Sequence, residues 1–374
     1  MNIITKQKQI KYKGFKMAAK DAANTTDKAS KINLIDSFTA SLNKKMGKES
    51  SPIMRAGDPS GMLNIKRLSS GSLLIDSILG YDEDGVGGFP IGRISEIYGP
   101  AGAGKSTLTL NVIKEAQKRD MNCLLIDSEQ AFSLEYAEGL GVDTDLLAIQ
   151  QESISERAFE TVEAAIQSGI FKLIVVDSVA NLVPLEEVNG DIEDRQVGAA
   201  ARVLNKGLRK ITSIANEKEV TVIFINQIRD KIGGMGYGPQ TDTVGGHALK
   251  FYTSVRLEVK RKGSIKKGEE EIGNIVTVKA AKNKTFPPFK KVDTEIYFGK
   301  GISREAEVLD IALKYNVVDK AGSWFSFGDG KLGQGKPSVI DKLIDEPEVL
   351  EEIEAQIQEA KKLELEKAAA KKAK

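Results

Sequence analysis

Cysteine and histidine are almost absent from the 374-residue sequence, which contains Cys123 and His247 as its only examples. A single cysteine excludes an internal disulfide framework and any zinc site built from several cysteines. A single histidine excludes a histidine-rich metal site and argues against a Ser-His-Asp triad. One thiol instead fits a protein of the reducing cytoplasm.

The sequence also lacks an excess of one charge and a long apolar run. Lys and Arg total 54 against 53 Asp and Glu, a net charge of +1. A nucleic-acid site must therefore be a local patch or channel rather than a global positive field. No apolar run approaches the ~20 residues of a membrane span, and the first residues lack the apolar core of a secretory signal. We expect a cytoplasmic protein that does not contact membranes.

Composition divides the chain into segments. Residues 1–30 carry seven lysines and two aspartates and are expected to be a disordered basic tail. Residues 31–62 contain apolar residues at helical spacing up to Gly47, which predicts a helix and a linker. So short a helix must pack on its own domain or on a neighbouring subunit, and we expect it to serve oligomerisation. The remaining segments are a core over 63–301, a small α-rich C-terminal domain over 302–345 with Trp324 in its core, and a charged helical tail over 346–374.

Aliphatic and β-branched runs alternate with helical patterns from Arg93 onward. The patterns predict helices over 105–119, 155–169 and 198–216, and strands at ISEIY, NCLLID, LLAIQ, KLIVVD and VTVIFIN. Near-continuous apolar strands are typical of a parallel sheet covered on both faces. SVRLEVK and NIVTVKAAK follow each other without a helix, which predicts an antiparallel edge. The fold class is therefore α/β, with a mostly parallel central sheet flanked by helices.

One segment matches the phosphate-binding pattern G-x-x-x-x-G-K-[ST] in full. It follows a predicted strand and opens a predicted helix, as the mechanism of phosphate binding requires. Lys105 is expected to reach the β- and γ-phosphates of ATP, and the Ser106 hydroxyl to bind Mg²⁺. The predicted nucleotide-binding residues are Gly99, Pro100, Ala101, Gly102, Ala103, Gly104, Lys105, Ser106 and Thr107.

Acidic residues follow two further predicted strands. Asp177 ends LIVVD, and a carboxylate at that position can hold Mg²⁺ through its water shell. Asp127 and Glu129 follow NCLLI, at the sheet edge where ligands of α/β proteins collect. A carboxylate there can orient a water for attack on the γ-phosphate, although the spacing of Glu129 fits a solvated loop acid equally well.

Two polar segments are candidates for DNA contact. Residues 185–198 carry five acidic side chains and one basic one, so contacts with DNA there would come from Arg195 and the backbone. Residues 228–246 include six glycines between 233 and 246, and such a loop is too long and glycine-rich to be ordered alone. Cations neutralise phosphates, and flat or apolar side chains can enter between bases. The predicted contacts of this second loop are Arg229, Lys231, Met235, Gly245 and Gly246.

Several blocks occur in an order and spacing that closely resemble the bacterial RecA recombinases. They are RISEIYGPAGAGKST, LLIDSEQAF, VVDSVANLVP, FINQIRDKIG, GGHALKFYTSVRLEV and VKAAKNK, and the resemblance extends from about residue 33 to 345. It implies a RecA-like ATPase core over 63–301. It also implies a DNA-dependent ATPase that forms a helical homo-oligomeric filament on single-stranded DNA, pairs it with homologous duplex DNA and exchanges strands.

The resemblance also assigns roles to individual residues. It implies that Glu129 is the catalytic glutamate, that Gln227 senses the γ-phosphate, and that Tyr136 stacks on adenine. It implies that Lys282 and Lys284 reach the ATP of a neighbouring subunit, although lysines also protect exposed edge strands. The other matching positions are Phe251 at the subunit interface and the DNA-proximal arginines Arg202 and Arg209.

The sequence departs from the family pattern at several positions. Ser133 stands where the family usually has an aspartate that contacts the adenine amine, and residues 81–88 form a longer, acidic insertion to which we assign no function. The chain ends in AAAKKAK rather than in an acidic tail. These differences indicate a divergent member, and a viral origin is one hypothesis for it.

Two other functions are compatible with the same nucleotide site. A hexameric helicase would share the phosphate loop and the acids at strand ends, but would form closed rings. A DNA-coating protein would use ATP only to switch its affinity and would show no DNA-stimulated hydrolysis. A water-orienting acid such as Glu129 weighs against a coat that does not hydrolyse ATP.

Overall fold

The structure, a computed structural model, describes residues 28–47, 53–57, 64–190, 198–230 and 241–372. The chain forms two compact units that divide between Asn64 and Ile65. In the first unit, helix α1 covers Lys28–Met46, which confirms the predicted helix although it begins earlier. Arg55 Nε pairs with Asp36 Oδ1 at 3.0 Å, and Asn43 makes two hydrogen bonds of 2.8 Å to the backbone of Ile53.

The second unit is built on a mixed sheet. The strands of this unit, up to residue 302, are β1 Arg67–Leu68, β2 Phe89–Pro90, β3 Ile94–Gly99, β4 Asn122–Asp127, β5 Leu147–Gln150, β6 Phe171–Asp177, β7 Thr221–Asp230, β8 Thr241–Thr243, β9 Val255–Lys267, β10 Glu270–Asn283, β11 Lys291–Tyr297 and β12 Gly301–Ile302. Nine of them lie in the order β12-β11-β10-β9-β3-β7-β6-β4-β5, and β8 pairs with β7. Strands β9, β3, β7, β6, β4 and β5 are parallel, whereas β9 to β12 pair antiparallel. This confirms the mostly parallel α/β sheet with an antiparallel edge.

Helices cover both faces of this sheet because its strands are apolar on both sides. One buried cluster includes Ile97 and Leu125 against Val112, and the other includes Ile174 and Phe224 against Leu208. No helix in the described ranges is both long and apolar enough to cross a membrane. The helices are α2 Leu73–Leu79, α3 Lys105–Gln117, α4 Leu134–Gly139, α5 Ser155–Ser168, α6 Leu185–Asn189, α7 Ala199–Glu217 and α8 Ala248–Tyr252, with a 3₁₀ turn over Val179–Asn181.

The C-terminal part differs from the prediction in two ways. Beside helices α9 Arg304–Lys314, α10 Lys336–Asp345 and α11 Pro347–Lys372, it contains a three-stranded sheet of β13 Asp319–Ala321, β14 Trp324–Phe327 and β15 Gly330–Gln334. The predicted tail also begins inside the packed domain, because Ile353 and Ile357 of α11 are buried in the same cluster as Val308.

Trp324 does not anchor the C-terminal core, so that prediction is wrong. Its side chain is 48% exposed, whereas its neighbour Phe325 is 3% exposed. Successive residues of a strand point to opposite faces, and β14 turns Phe325 inward. Trp324 lies on the outer face, where the Lys331 ammonium is 5.4 Å from its ring centroid.

Helix α2 is joined to the C-terminal part through a buried carboxylate. Glu307 is 1% exposed and accepts hydrogen bonds from the Leu73 amide and the Thr294 hydroxyl, both at 2.6 Å, and from the Ser72 hydroxyl. Burial raises the pKa of Glu307 to about 7, and these hydrogen bonds oppose the rise.

The acidic insertion over 81–88 forms a compact turn. Asp82 accepts hydrogen bonds from the amides of Val86 at 2.8 Å and Arg67 at 3.1 Å. The buried Arg67 guanidinium donates to the carbonyl groups of Leu79 and Gly88, both at 3.0 Å. One acid of the insertion therefore has a structural role in closing its own loop.

Candidate functional site

The phosphate loop connects strand β3 to helix α3. Gly99 ends the strand, and a side chain there would meet the Val259 carbonyl oxygen at 2.0 Å, so glycine is required. Gly104 caps the helix with φ of 89°, a left-handed conformation that favours glycine. The loop therefore directs the first amide groups of α3 outward, as an anion-binding helix N-terminus requires.

Lys105 begins helix α3, and its side chain folds back over the loop. Nζ donates to the carbonyl oxygens of Gly99 at 3.1 Å and Pro100 at 2.7 Å. Burial lowers the pKa of Lys105, while the negative charges of Asp177 and Glu129 act against that change. The ammonium group thus lies within the loop that would surround a phosphate.

Ser106 and Asp177 come together from two elements, the start of α3 and the end of β6. Ser106 Oγ donates to Asp177 Oδ2 at 2.7 Å. Burial raises the pKa of Asp177 to about 6; the charges of Glu129 and Asp127 act in the same direction, and the Ser106 hydrogen bond opposes it. A hydroxyl and a carboxylate are hard oxygen ligands of the kind that Mg²⁺ prefers.

Glu129 and Gln227, which come from two different strand ends, lie in contact. Glu129 Oε1 accepts hydrogen bonds from Gln227 Nε2 at 2.9 Å and from Ser178 Oγ at 2.7 Å. Asp127 shapes the loop that carries Glu129, because it accepts a hydrogen bond from the Phe132 amide at 3.1 Å. The candidate catalytic acid is therefore linked directly to the residue from which the loop 228–246 departs.

Tyr136 lies near the start of the phosphate-binding helix. Its hydroxyl is 2.7 Å from Thr107 Oγ1, and either oxygen can be the donor. Ser133, which departs from the family pattern, caps helix α4 by accepting a hydrogen bond from the Tyr136 amide at 3.3 Å. The serine thus has a local structural role.

The side chains of Lys282 and Lys284 both approach backbone carbonyl groups of helix α8. Their Nζ atoms lie 3.3 Å and 3.5 Å from the Phe251 carbonyl oxygen, and Lys282 also donates to the Lys250 carbonyl group. Lys282 pairs with Arg256 of β9 but lies beyond the stretch of β10 that pairs with β11, and Lys284 follows the end of β10. Phe251 beside them is 72% exposed.

Four of the candidate DNA-contacting residues lie on helix α7 or beside it. Arg202 and Arg209 are both exposed on it, and Arg202 pairs with Glu186 of α6 at 3.0 Å. Gly245 and Gly246 have φ of 82° and 70°. A side chain at Gly245 would meet Leu204 Cδ2 at 2.5 Å, so the returning end of the second loop packs against the same helix.

The predicted DNA loops are described only in part. The first one is not irregular throughout, because residues 185–189 form helix α6, while 191–197, with Arg195, lie outside the described residues. The two ends of the second loop form a short antiparallel pair of strands, in which Ile228 pairs with Thr243 and Asp230 with Thr241. Lys231 and Met235 lie outside the described residues, as does the side chain of Arg229.

Several residues of the site had no signal in the sequence. Ser178 donates a hydrogen bond to Glu129, and the buried Asn226 and Glu96 form a hydrogen-bonded group with the partly buried Arg256. Glu96 and Asn226 look like ordinary members of apolar strands, and only the register of β3, β7 and β9 brings them together.

Comparisons with known proteins agree over most of the chain. The family model of the RecA N-terminal domain matches residues 33–303, and that of the RecA C-terminal domain matches 306–362. The chain is 48% identical to Protein RecA of Fusobacterium nucleatum over 90% of this chain and 86% of that protein. It is 48% identical to Protein RecA of Campylobacter jejuni over 87% and 92%, and 47% identical to that of Sulfurovum over 89% and 93%.

Proposed function

The chain belongs to the RecA family of recombinases, which serve DNA recombination and repair, and from this premise we propose that it forms ATP-dependent filaments on single-stranded DNA and exchanges homologous strands. The observation that carries the proposal is the hydrogen bond from Gln227 to Glu129 at 2.9 Å. It connects the acid that would orient water to the base of the loop that would contact DNA. A DNA-dependent ATPase needs such a connection.

Hydrolysis of ATP would depend on two charged groups of opposite sign. Lys105 would leave its two carbonyl partners to bind the β- and γ-phosphates and stabilise the charge that develops on them. Glu129 would accept a hydrogen bond from the attacking water and so hold it in line with the γ-phosphate. Tyr136, near the start of the same helix, would stack on the adenine.

The residues present fit a bound magnesium ion. Ser106 Oγ and Asp177 Oδ2 lie 2.7 Å apart, and Mg²⁺ is usually bound by one or two such groups together with phosphates and water. Among the described residues there is no group of three His, Cys, Asp or Glu side chains that could hold a metal, so nucleotide and water would complete the shell. When bound, the ion would neutralise charge on the β- and γ-phosphate oxygens.

DNA would bind along the surface formed by helix α7 and the second loop. Arg202 and Arg209 would contact phosphates, together with Arg229 and Lys231. Met235 would enter between bases, and Gly245 with Gly246 would let the backbone approach the DNA. We place this reaction in the cytoplasm, where the buried thiol of Cys123 stays reduced.

Lys282 and Lys284 would act on the ATP of the adjacent subunit, with Phe251 at the same interface. Mixed assembly of Lys284→Ala with Lys105→Ala tests this role. Lys284→Ala retains the phosphate loop, and Lys105→Ala retains the two lysines. Interfaces at which an intact phosphate loop meets intact lysines of the neighbouring subunit should therefore recover part of the DNA-stimulated hydrolysis. Absence of recovery, with co-assembly confirmed by crosslinking, would mean that the lysines act within their own subunit or not at all.

The direct test combines turnover with electron microscopy. Hydrolysis of ATP should rise when single-stranded DNA is added, and open helical filaments should appear on the DNA. Closed hexameric rings would favour a helicase instead. DNA binding that responds to ATP without stimulated turnover would favour a coat protein.

A further inference from the structure

A row of polar side chains crosses the sheet on one face, behind the nucleotide site. Arg256 of β9 pairs with Glu96 of β3 on one side and with Lys282 of β10 on the other. Asn226 of β7 pairs with Tyr98, two residues after Glu96 and on the same face of β3. The row therefore extends from the strand that carries Gln227 to the strand that carries Lys282.

Glu96 is the centre of this row and is 0% exposed. Its Oε1 accepts a hydrogen bond from Asn226 Nδ2 at 2.9 Å, and its Oε2 accepts one from Arg256 Nε. A buried carboxylate is costly unless its charge is paired and its oxygens are hydrogen-bonded. Both conditions are met here, by groups that belong to two different strands.

The Asn226 amide holds the base of the second DNA loop. Its Nδ2 also donates to the Val244 carbonyl oxygen at 3.0 Å, and its Oδ1 accepts a hydrogen bond from the Gln227 amide at 2.8 Å. Because Gln227 and Val244 stand on the outgoing and returning sides of the loop 228–246, one side chain fixes both sides. The carboxylate of Glu96 in turn fixes the amide.

Arg256 lies between Glu96 and Lys282 in the register of the three strands. Its guanidinium lies 4.4 Å from the centroid of the Tyr98 ring, and the Cβ atoms of directly opposed residues in paired strands lie about 4.5–5.5 Å apart. Burial lowers the pKa of Lys282 to about 8; the cations of Lys284 and Arg256 lower it further, and the charge of Glu96 opposes them. Arg256 thus lies beside Lys282 in the sheet, and its positive charge favours the neutral form of the lysine.

We propose that Glu96 is a positioning residue: through Arg256 it holds Lys282 in the orientation from which the lysine acts on a neighbour's ATP, and through Asn226 it ties that lysine to the base of the DNA loop. This inference rests on the proposed function, because it assumes that Lys282 acts between subunits. The alternative is an ion pair that only stabilises the fold.

The variant Glu96→Gln distinguishes the contact of residue 96 with Asn226 from its contact with Arg256. Glutamine keeps an acceptor oxygen for Asn226 but loses the charge that holds Arg256. We expect the KM for ATP to stay within about twofold of the wild-type value. The DNA-stimulated kcat should fall roughly tenfold or more, because small displacements of a catalytic group have large effects on the rate. The alkaline limb of the kcat profile should also move to lower pH, since the lost negative charge had favoured the protonated Lys282.

The matched control is Glu258→Gln. Glu258 lies two residues after Arg256 on the same face of β9, but pairs with Lys260 at 2.7 Å. Its removal should leave kcat and the pH profile close to those of the wild type. An equal effect of both variants would overturn the proposal, because the loss of any carboxylate on this face of the sheet would then have the same effect.

Mixed filaments give the decisive result. Glu96→Gln retains its phosphate loop, whereas Lys105→Ala retains the row and Lys282, so junctions between them should recover DNA-stimulated hydrolysis. No recovery would overturn the proposal, and so would a lowered melting temperature with unchanged kcat. Wild-type protein without DNA-stimulated hydrolysis would instead refute the proposed function on which it rests.

A double variant covers the case in which Glu96→Gln leaves an unpaired buried cation and fails to fold. Glu96→Gln with Arg256→Gln removes both charges and keeps polar groups in place. If the pair is only structural, this neutral pair should restore stability and turnover together. If the pair positions Lys282, turnover stays low while the fold is stable, and mixing with Lys105→Ala restores it.

Discussion

Replacement of Glu129 by glutamine separates catalysis from binding at the candidate site. In the structure, Glu129 Oε1 accepts hydrogen bonds from Gln227 and Ser178, and the glutamine oxygen can accept both. The substitution therefore keeps the shape and removes only the charge. It also removes one cause of the raised pKa of Asp177, so the Ser106–Asp177 pair keeps its capacity to bind Mg²⁺.

The expected loss of turnover follows from the role of a positioned base. Groups that accept or orient a proton in this way contribute about 10²- to 10⁴-fold to the rate, which corresponds to about 3–5 kcal/mol of activation free energy. We expect kcat with saturating single-stranded DNA to fall within that range, while the affinity for a fluorescent ATP analogue changes less than about threefold.

The assay is steady-state phosphate release, with filament formation followed by electron microscopy on the same samples. Asp127→Asn provides a matched control, because Asp127 shapes the same loop through backbone amides but does not contact Gln227. Loss of ATP binding together with turnover in Glu129→Gln would show that Glu129 is structural. Turnover close to the wild-type rate would refute the assigned role altogether.

Three further variants test other parts of the account. Lys105→Ala should lower turnover at least about 100-fold, since the developing phosphate charge loses its cation, and near-normal phosphate release would remove the phosphate-loop assignment. Arg229→Ala with Lys231→Ala should make the salt dependence of single-strand affinity shallower by about 1.4 in a titration from low to high salt; an unchanged slope would place the phosphate contacts elsewhere. The pKa of Glu307 rises from its ordinary value of 4.5 to about 7 on folding, so the folded state binds the proton more tightly and the free energy of unfolding should fall as pH rises from about 4.5 to about 7. In urea unfolding this fall should be larger in the wild type than in Glu307→Gln, by about 3 kcal/mol, and equal pH dependence of both would contradict it.

The central sheet and the phosphate loop could be predicted because their signals are local. An apolar strand, a glycine-rich turn and a helix follow one another at 94–117. Each segment has its own sequence pattern, and together the three patterns predict a phosphate loop. Asp177 and Glu129 could be placed at the site because the carboxyl ends of parallel strands meet at one edge of the sheet. On spacing alone Glu129 fitted a solvated loop acid equally well, so its assignment depended on the resemblance to the family.

Other features depend on contacts that no local pattern records. Trp324 and Phe325 are equally apolar in the sequence, and only the pairing of β14 decides which one is buried. The strands of that sheet have three to five residues, too few for a clear alternation. The spacing of Ile353 and Ile357 places both on one face of a helix. The many acidic residues around them, however, suggested a solvated tail rather than a packed helix.

The row around Glu96 illustrates the same limit within the site itself. Glu96 and Arg256, which are hydrogen-bonded in this row, are separated by 160 residues along the chain. They meet because β3 lies between β7 and β9 in the sheet. A prediction of strand existence does not give strand register, so the sequence could not show that a buried carboxylate joins Asn226 to Arg256.

Strand exchange between circular single-stranded DNA and homologous linear duplex DNA tests the central claim most directly. With ATP and Mg²⁺, the protein should form joint molecules and then nicked circular duplex, visible by gel electrophoresis. Heterologous duplex should give no product, and neither should Lys105→Ala. Failure to form joint molecules, under conditions where the wild-type protein hydrolyses ATP and coats the single strand, would contradict the claim that this chain is a strand-exchange recombinase.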